Sequence, residues 1–185
     1  MSIQIKLEIR SLIIIFAVAL LPFVLSAIQN ASAGALPKDA CALLKPAEIQ
    51  AALAPNENIG SGVPDTSALP LGVGCKYTWG PVTKEWGKSE LTITVIDPAK
   101  AYPGTSADLI LQGLLMKAKA DGSNASVIPG VGDAAIFSFE ARPSNATAEA
   151  YFKAKDLHLS VQFHGGNLQS KDKLTALLKE AAARL

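Results

Sequence analysis

The residue types that could do chemistry in this chain are few, and the two histidines, His158 and His164, come first. With Ser160 and Gln162 they occupy alternate positions of Leu157–His164, so a strand there puts all four on one face and Leu157, Leu159, Val161 and Phe163 on the other. Imidazoles ligate metals and move protons near neutral pH. Along a regular strand, however, these two rings lie about 20 Å apart, at a rise of about 3.3 Å per residue. They cannot share a metal centre, whose nitrogen ligands stand about 2.0–2.1 Å from the ion. The face is read either as the solvated side of a sheet or as a surface that meets a ligand.

Ser89, Ser138 and Ser160 supply hydroxyls, but no Gly-x-Ser-x-Gly elbow occurs and neither histidine stands beside a nucleophile in the sequence. Pro129-Gly130-Val131-Gly132-Asp133 is glycine-rich yet lacks the Lys-Ser/Thr ending and following helix of a phosphate loop. Its glycines are expected to supply positive φ in a turn, with Asp133 accepting hydrogen bonds from backbone amides. No catalytic residue, metal or cofactor is expected. Among the aromatics, Trp79 is a core candidate. Trp86, in a loop with Lys84, Glu85 and Lys88, is either an exposed anchor for a partner or partly buried under a neighbouring loop. Asn124-Ala125-Ser126 and Asn145-Ala146-Thr147 fit the glycosylation sequon.

The cysteines, Cys41 and Cys75, are read with the first 33 residues. Lys6 and Arg10 precede an apolar run from Leu12 to Ile28 that ends in Ala31-Ser32-Ala33, the layout of a secretory signal with a small-residue cleavage site. An uncleaved anchor is the rival, since about 17 residues is the lower limit for a spanning helix; Pro22, Ser26 and the Ala-x-Ala ending favour cleavage. In an exported chain two cysteines with no third most simply form one bridge, and neither Cys-x-x-Cys spacing nor a neighbouring His suggests a reactive or metal-binding pair. The bridge would close a loop of about 34 residues, worth roughly 3 to 4 kcal/mol in the chain-entropy model.

Of 17 basic and 16 acidic residues, Lys6, Arg10 and Glu8 fall in the first 33, so residues 34–185 carry no net charge. That balance gives no reason to propose nucleic acid or an anionic membrane as partner. Contact with the membrane is expected only through the signal before cleavage. Residues 34–185, about 150 in number, suit a single domain.

The elements that position these groups follow from periodicity. Asp39 can cap a turn over Ala40–Leu44, and Pro46 with Glu48 opens a helix through Leu53. The Pro- and Gly-rich stretch 54–74 reads as a long loop. Alternation then predicts a hairpin of strands from Cys75 to Trp79 and from Leu91 to Ile96, around a turn at Gly80–Gly87. Helical spacing returns over Ser106–Ala120, with Leu109, Ile110, Leu114 and neighbours as a broad apolar face stopped at Asp121-Gly122. Strands follow at Ala134–Glu140, Glu149–Lys155 and Leu157–His164, the last two meeting at a tight Lys155-Asp156 joint. A final helix from about Ser170 to Leu185 carries the stripe Leu174, Leu177, Leu178 and Ala181. The fold class expected is α+β: a mostly antiparallel sheet of about five strands with helices packed on it.

Three segments resemble a group of exported bacterial proteins that includes domains of unknown function. Asp39-Ala40-Cys41-Ala42-Leu43-Leu44-Lys45-Pro46-Ala47-Glu48-Ile49 is similar to their Asp-x-Cys-x-Leu-Leu-x-x-x-Glu-Val start, Gly74-Cys75-Lys76-Tyr77-Thr78-Trp79 to their Cys-x-Tyr/Trp strand, and Pro129–Ala135 to their Gly-x-Gly-Asp-x-Ala turn. Lys45 departs from the usual Thr or Ser, so the helix is expected to start with a weaker cap. The resemblance implies an α/β/α sandwich like that of the photosystem subunit PsbP and no catalytic residues. Together these readings lead to an exported, non-enzymatic envelope domain, periplasmic or secreted, that binds a protein or small ligand. It would do so at the His158, Ser160, Gln162, His164 face, at Trp86 or at the loop before Cys75. The alternatives are a small secreted hydrolase, whose residues converge only in the fold, and a structural envelope component.

Overall fold

In the computed structural model, which describes residues 34–53, 56, 58–84, 87–120, 125–139, 145–165 and 171–185, the alternating segments pair into one antiparallel sheet. Its strands are β1 (Val63–Asp65), β2 (Gly72–Thr83), β3 (Gly87–Ile96), β4 (Ala125–Val127), β5 (Ala134–Phe139), β6 (Asn145–Phe152) and β7 (Leu157–His164). The helices are α1 (Pro46–Leu53), α2 (Pro98–Ala101), α3 (Ala107–Ala120) and α4 (Lys171–Ala182). All described residues belong to one compact unit, Ala31–Leu185. The signal reading on residues 1–33, the Trp86 reading and the Asp121-Gly122 stop lie outside the described residues.

The strand order is β1-β2-β3-β7-β6-β5-β4. Two meanders, β1–β3 and β4–β7, are therefore joined where β3 pairs with β7, and the connection from β3 to β4 must run from mid-sheet to the far edge. It carries α2 and α3 across one face.

Seven strands stand where about five were expected. The two additions, β1 and β4, have three residues each and form the sheet's edges, too short to display an alternating pattern. Pro64 in β1 sits where a strand tolerates proline, at an edge. The four-residue α2 was also illegible, whereas α1 matches its expected bounds.

One sheet face holds the main core. Leu91, Ile93 and Val95 of β3 and Leu157, Leu159 and Val161 of β7 meet Leu174, Leu177, Leu178 and Ala181 of α4, with Ile49 of α1 completing the cluster. The β6 residues on this face are Ala146, Ala148 and Ala150, all fully buried. Their small side chains let α4 lie close to the sheet. Trp79 is buried and meets Phe163, ring centroids 6.1 Å apart.

At the start of the domain Asp39 Oδ1 accepts from the Cys41 amide at 2.8 Å and caps a turn of 3-10 helix over Ala40–Ala42. Cys41 is joined to Cys75, with Cα atoms 5.0 Å apart. The buried Tyr77 hydroxyl reaches the carbonyls of Leu44 at 2.5 Å and Cys41 at 3.1 Å, which ties the turn to β2 a second time. Lys45 leaves α1 without a side-chain cap, but Glu48 Oε2 accepts from the Lys45 amide at 2.8 Å, the returning half of a capping box. No helix among the described residues is long and apolar enough to cross a membrane.

Candidate functional site

The site begins with a turn. Asp156 takes φ 48° in the link between β6 and β7, and the Lys155 and Asp156 amides donate to Phe152 and Lys153 carbonyls at 3.1 and 3.2 Å. That link fixes the register: Phe152 faces Leu157, Tyr151 faces His158 and Glu149 faces Ser160. Glu149 and His158 are diagonal neighbours on the same face, and diagonal pairs on adjacent strands lie within reach of long side chains. Glu149 Oε2 stands 3.1 Å from His158 Nε2, with the two side chains 8% and 16% exposed. The approach is an ion-pair distance without hydrogen-bond alignment: Nε2 is screened from solvent and is aligned with no partner.

A wall rises over this pair from the α2–α3 segment. Asp97 Oδ1 accepts from the Ala99 and Lys100 amides at 3.0 and 3.4 Å and holds α2 at the end of β3. Ser106 Oγ accepts from the Leu109 amide at 3.3 Å and starts α3. Lys153 Nζ, on the β6–β7 turn, donates to Asp108 Oδ1 at 2.8 Å and pins the first turn of α3 above the sheet. On its inner side Leu114, with Ile110 and Leu111, packs on Ile136 and Tyr151. The Tyr151 hydroxyl donates to Asp156 Oδ1 at 2.7 Å. Burial and that carboxylate push its pKa above the ordinary tyrosine range.

Between wall and sheet lies a cavity of about 320 Å³, lined by Tyr102, Thr105, Ile110, Gly113 and Leu114 with Glu149 and His158. Most of its wall is apolar and its ionisable groups are confined to the sheet side. Gly113 is part of its lining, and a Cβ built there meets nothing within 4 Å. A second depression of about 460 Å³ lies between the Pro129–Gly132 turn and α4, but its one charged side chain, Lys179, is exposed. A third, of about 320 Å³, borders Cys41 and Asp65. Only the first holds two ionisable side chains this deeply buried.

The four residues expected on one face share it, opposite the buried Leu157, Leu159, Val161 and Phe163, but their surroundings differ. His158 enters the cavity; Ser160 is half-buried opposite Glu149 and outside the lining; Gln162 and His164 are exposed. His164 Nδ1 instead contacts Asn145 Oδ1. The glycine turn has φ 75° at Gly130 and 57° at Gly132, and Asp133 Oδ2 accepts from the Lys153 amide at 2.6 Å, as the turn reading expects. Among the described residues no group of three or more His, Cys, Asp or Glu could hold a metal ion.

Sequence reasoning missed Glu149, Tyr102, Thr105, Ile110, Gly113 and Leu114 as neighbours of His158. The usable signal was the hairpin: pairing outward from a four-residue link at Lys153–Asp156 brings Glu149 beside His158. Nothing local in the sequence brings α3 over that pair. No family model, curated protein or solved structure matches this chain.

Proposed function

We propose that the protein is an exported, non-enzymatic envelope domain, periplasmic or secreted, that holds a small amphipathic ligand between α3 and the sheet. The observation that carries this reading is the first cavity, where Tyr102, Ile110 and Leu114 meet the buried Glu149 and His158. Ligand sites are typically apolar concavities in which a few convergent polar groups set orientation. Export is supported by the signal-like first 33 residues and the joined cysteines, since bridges persist in oxidising compartments. Helices on both faces of an antiparallel sheet support the α/β/α, PsbP-like arrangement that the resemblance implies.

Gly113→Leu provides the test. Leucine would add a bulky side chain to the cavity's lining without a clash at Cβ, and leaving glycine in a helix interior favours the fold by up to about 1 kcal/mol. In a thermal-shift screen of small amphipathic compounds, a true ligand at a hundredfold excess over Kd should raise the wild-type Tm by about 5 to 10 °C. The variant should fold and not respond. If no compound distinguishes wild type from Gly113→Leu, the reading fails.

The hydrolase alternative is favoured by one observation: Thr105, His158 and Glu149, a hydroxyl, an imidazole and a carboxylate, line the same cavity. Against it, His158 Nε2 is aligned with no hydroxyl. Ester hydrolysis abolished by both Thr105→Ala and His158→Ala would favour the enzyme; hydrolysis indifferent to both, or absent, removes it.

A further inference from the structure

The cavity opens beside exposed apolar side chains of a kind that the other long helix, α4, does not carry. On α4 the exposed positions are Asp172, Lys173, Ala176, Lys179 and Glu180, with no large apolar side chain among them. On α3 they include Leu109 at 57% exposure and Met116 at 64%, and Tyr102 before the helix is 50% exposed. Tyr102 lines the cavity, and Leu109 and Met116 lie four residues before and three after Gly113, positions that adjoin it on the helix surface. The apolar wall therefore continues out of the cavity and over its rim.

Resting on the reading of this cavity as a ligand site, we infer that the ligand is a single-chain aliphatic amphiphile with an uncharged hydroxyl head. The head sits at His158 and Glu149, and the chain leaves over Gly113 between Leu109 and Met116. The cavity, about 320 Å³, is near the lower end of the size of ligand pockets, so it contains part of a long chain and the rim takes the rest. Exposed large apolar side chains gathered at a pocket mouth are what such a chain would cover. A hydroxyl both donates and accepts, which suits an unaligned imidazole nitrogen 3.1 Å from a carboxylate oxygen. An ammonium head has no acceptor and a carboxylate head has no donor, so neither offers both roles at this pair. Gly113 keeps the exit open, because any larger residue there stands in the path of the chain.

The test is calorimetric titration of the full chain, as recovered from the expressing cell, with hexanol, octanol, decanol and dodecanol. Affinity should rise about fourfold per added methylene. Leu109→Ser with Met116→Ser should leave hexanol binding and Tm unchanged while weakening dodecanol at least about tenfold, and Gly113→Leu should abolish binding of all four. Dodecylamine and dodecanoate should each bind more weakly than dodecanol. Hexanol binding that Gly113→Leu blocks, but that gains nothing with chain length, overturns the amphiphile and leaves the cavity reading standing. A length dependence that Gly113→Leu does not touch places the binding elsewhere and overturns both.

Discussion

Replacing Arg184 should unclamp the end of α4 from the start of α1, and the loss should depend on pH in a way that identifies its source. Arg184 grips Glu48 through two bonds, Nη1 to Oε2 at 2.7 Å and Nη2 to Oε1 at 2.5 Å, and Nη1 also donates to the Leu43 carbonyl at 2.7 Å. The Arg184 hydrogen bonds first, and then the Lys45 amide, hold the Glu48 carboxyl at about 2, below its ordinary 4.5. Since the folded value is the depressed one, the stabilisation is fully present above pH 4.5 and is lost as pH falls through about 2.

At about 1.36 kcal/mol per pKa unit the whole shift would correspond to a little over 3 kcal/mol. The side chains of Arg184 and Glu48 are 31% and 27% exposed, however, so solvent screens the pair and about 1 kcal/mol is the better expectation. Loss of the bond to Leu43 adds about 1 kcal/mol that does not depend on the Glu48 charge. Arg184→Met keeps most of the apolar stem, and its unfolding in urea should show a deficit of about 2 kcal/mol at pH 7 that shrinks to about 1 kcal/mol near pH 2. The comparison must be wild type against variant, because Asp65 is also held below its ordinary range, by the Ser67 amide and hydroxyl, and adds its own acid dependence to both. A deficit of equal size at pH 7 and pH 2 would refute the carboxylate as its origin, and no deficit at either pH would refute the clamp.

Three further outcomes concern the turn beside this clamp, where Tyr77 meets the Cys41 and Leu44 carbonyls. Cys41→Ala with Cys75→Ala opens a 34-residue separation and should cost roughly 3 to 4 kcal/mol in urea unfolding; a cost under about 1 kcal/mol would mean that Tyr77 alone holds the turn. Gly62→Ala would put a Cβ 2.5 Å from Cys75 Sγ and 2.7 Å from the Tyr77 ring, so it should cost about 1 to 3 kcal/mol, and a neutral result in a thermal melt would show that this segment moves freely. Tyr77→Phe leaves the Leu44 carbonyl without its 2.5 Å donor and should cost about 1 to 2 kcal/mol, with an unchanged Tm counting against a buried bond.

What the sequence made legible was whatever repeats with a period. The stripe Leu174, Leu177, Leu178, Ala181 and the alternation of Leu157–His164 announced their elements because each runs over several turns or several pairs of residues. The α3 pattern was legible as a helix but not as a surface: Leu109 and Met116 share its apolar character with the buried Leu114 yet remain exposed. Hydropathy cannot distinguish a residue that meets the core from one that rims a cavity. Glu149 was invisible for a different reason, since its importance lies in a neighbour nine positions away that only the hairpin register brings within 3.1 Å. Gly113 was harder still, because its contribution is the space that it leaves.

The two faces of β6 and β7 differ in their chemistry, and on the proposed reading they divide stability from binding. Toward α4 the strands present Ala146, Ala148, Ala150, Leu157, Leu159 and Val161, a closed apolar layer with no ionisable group in it. Toward α3 the same strands present Glu149, Tyr151, His158 and Ser160, and only part of that side is roofed, because α3 packs on Ile136 and Tyr151 and leaves the cavity beside Gly113. A buried carboxylate and imidazole are costly to maintain, and this chain does not need them to join its sheet, since the layer on the other face already does so. Their position under a helix whose outer side chains are apolar is better accounted for by what enters the cavity than by what holds the sheet together. On the proposed reading, Gly113→Leu should abolish ligand binding without lowering Tm, while Leu178→Ala, on the α4 side, should lower Tm with an intrinsic affinity for the ligand that stays the same.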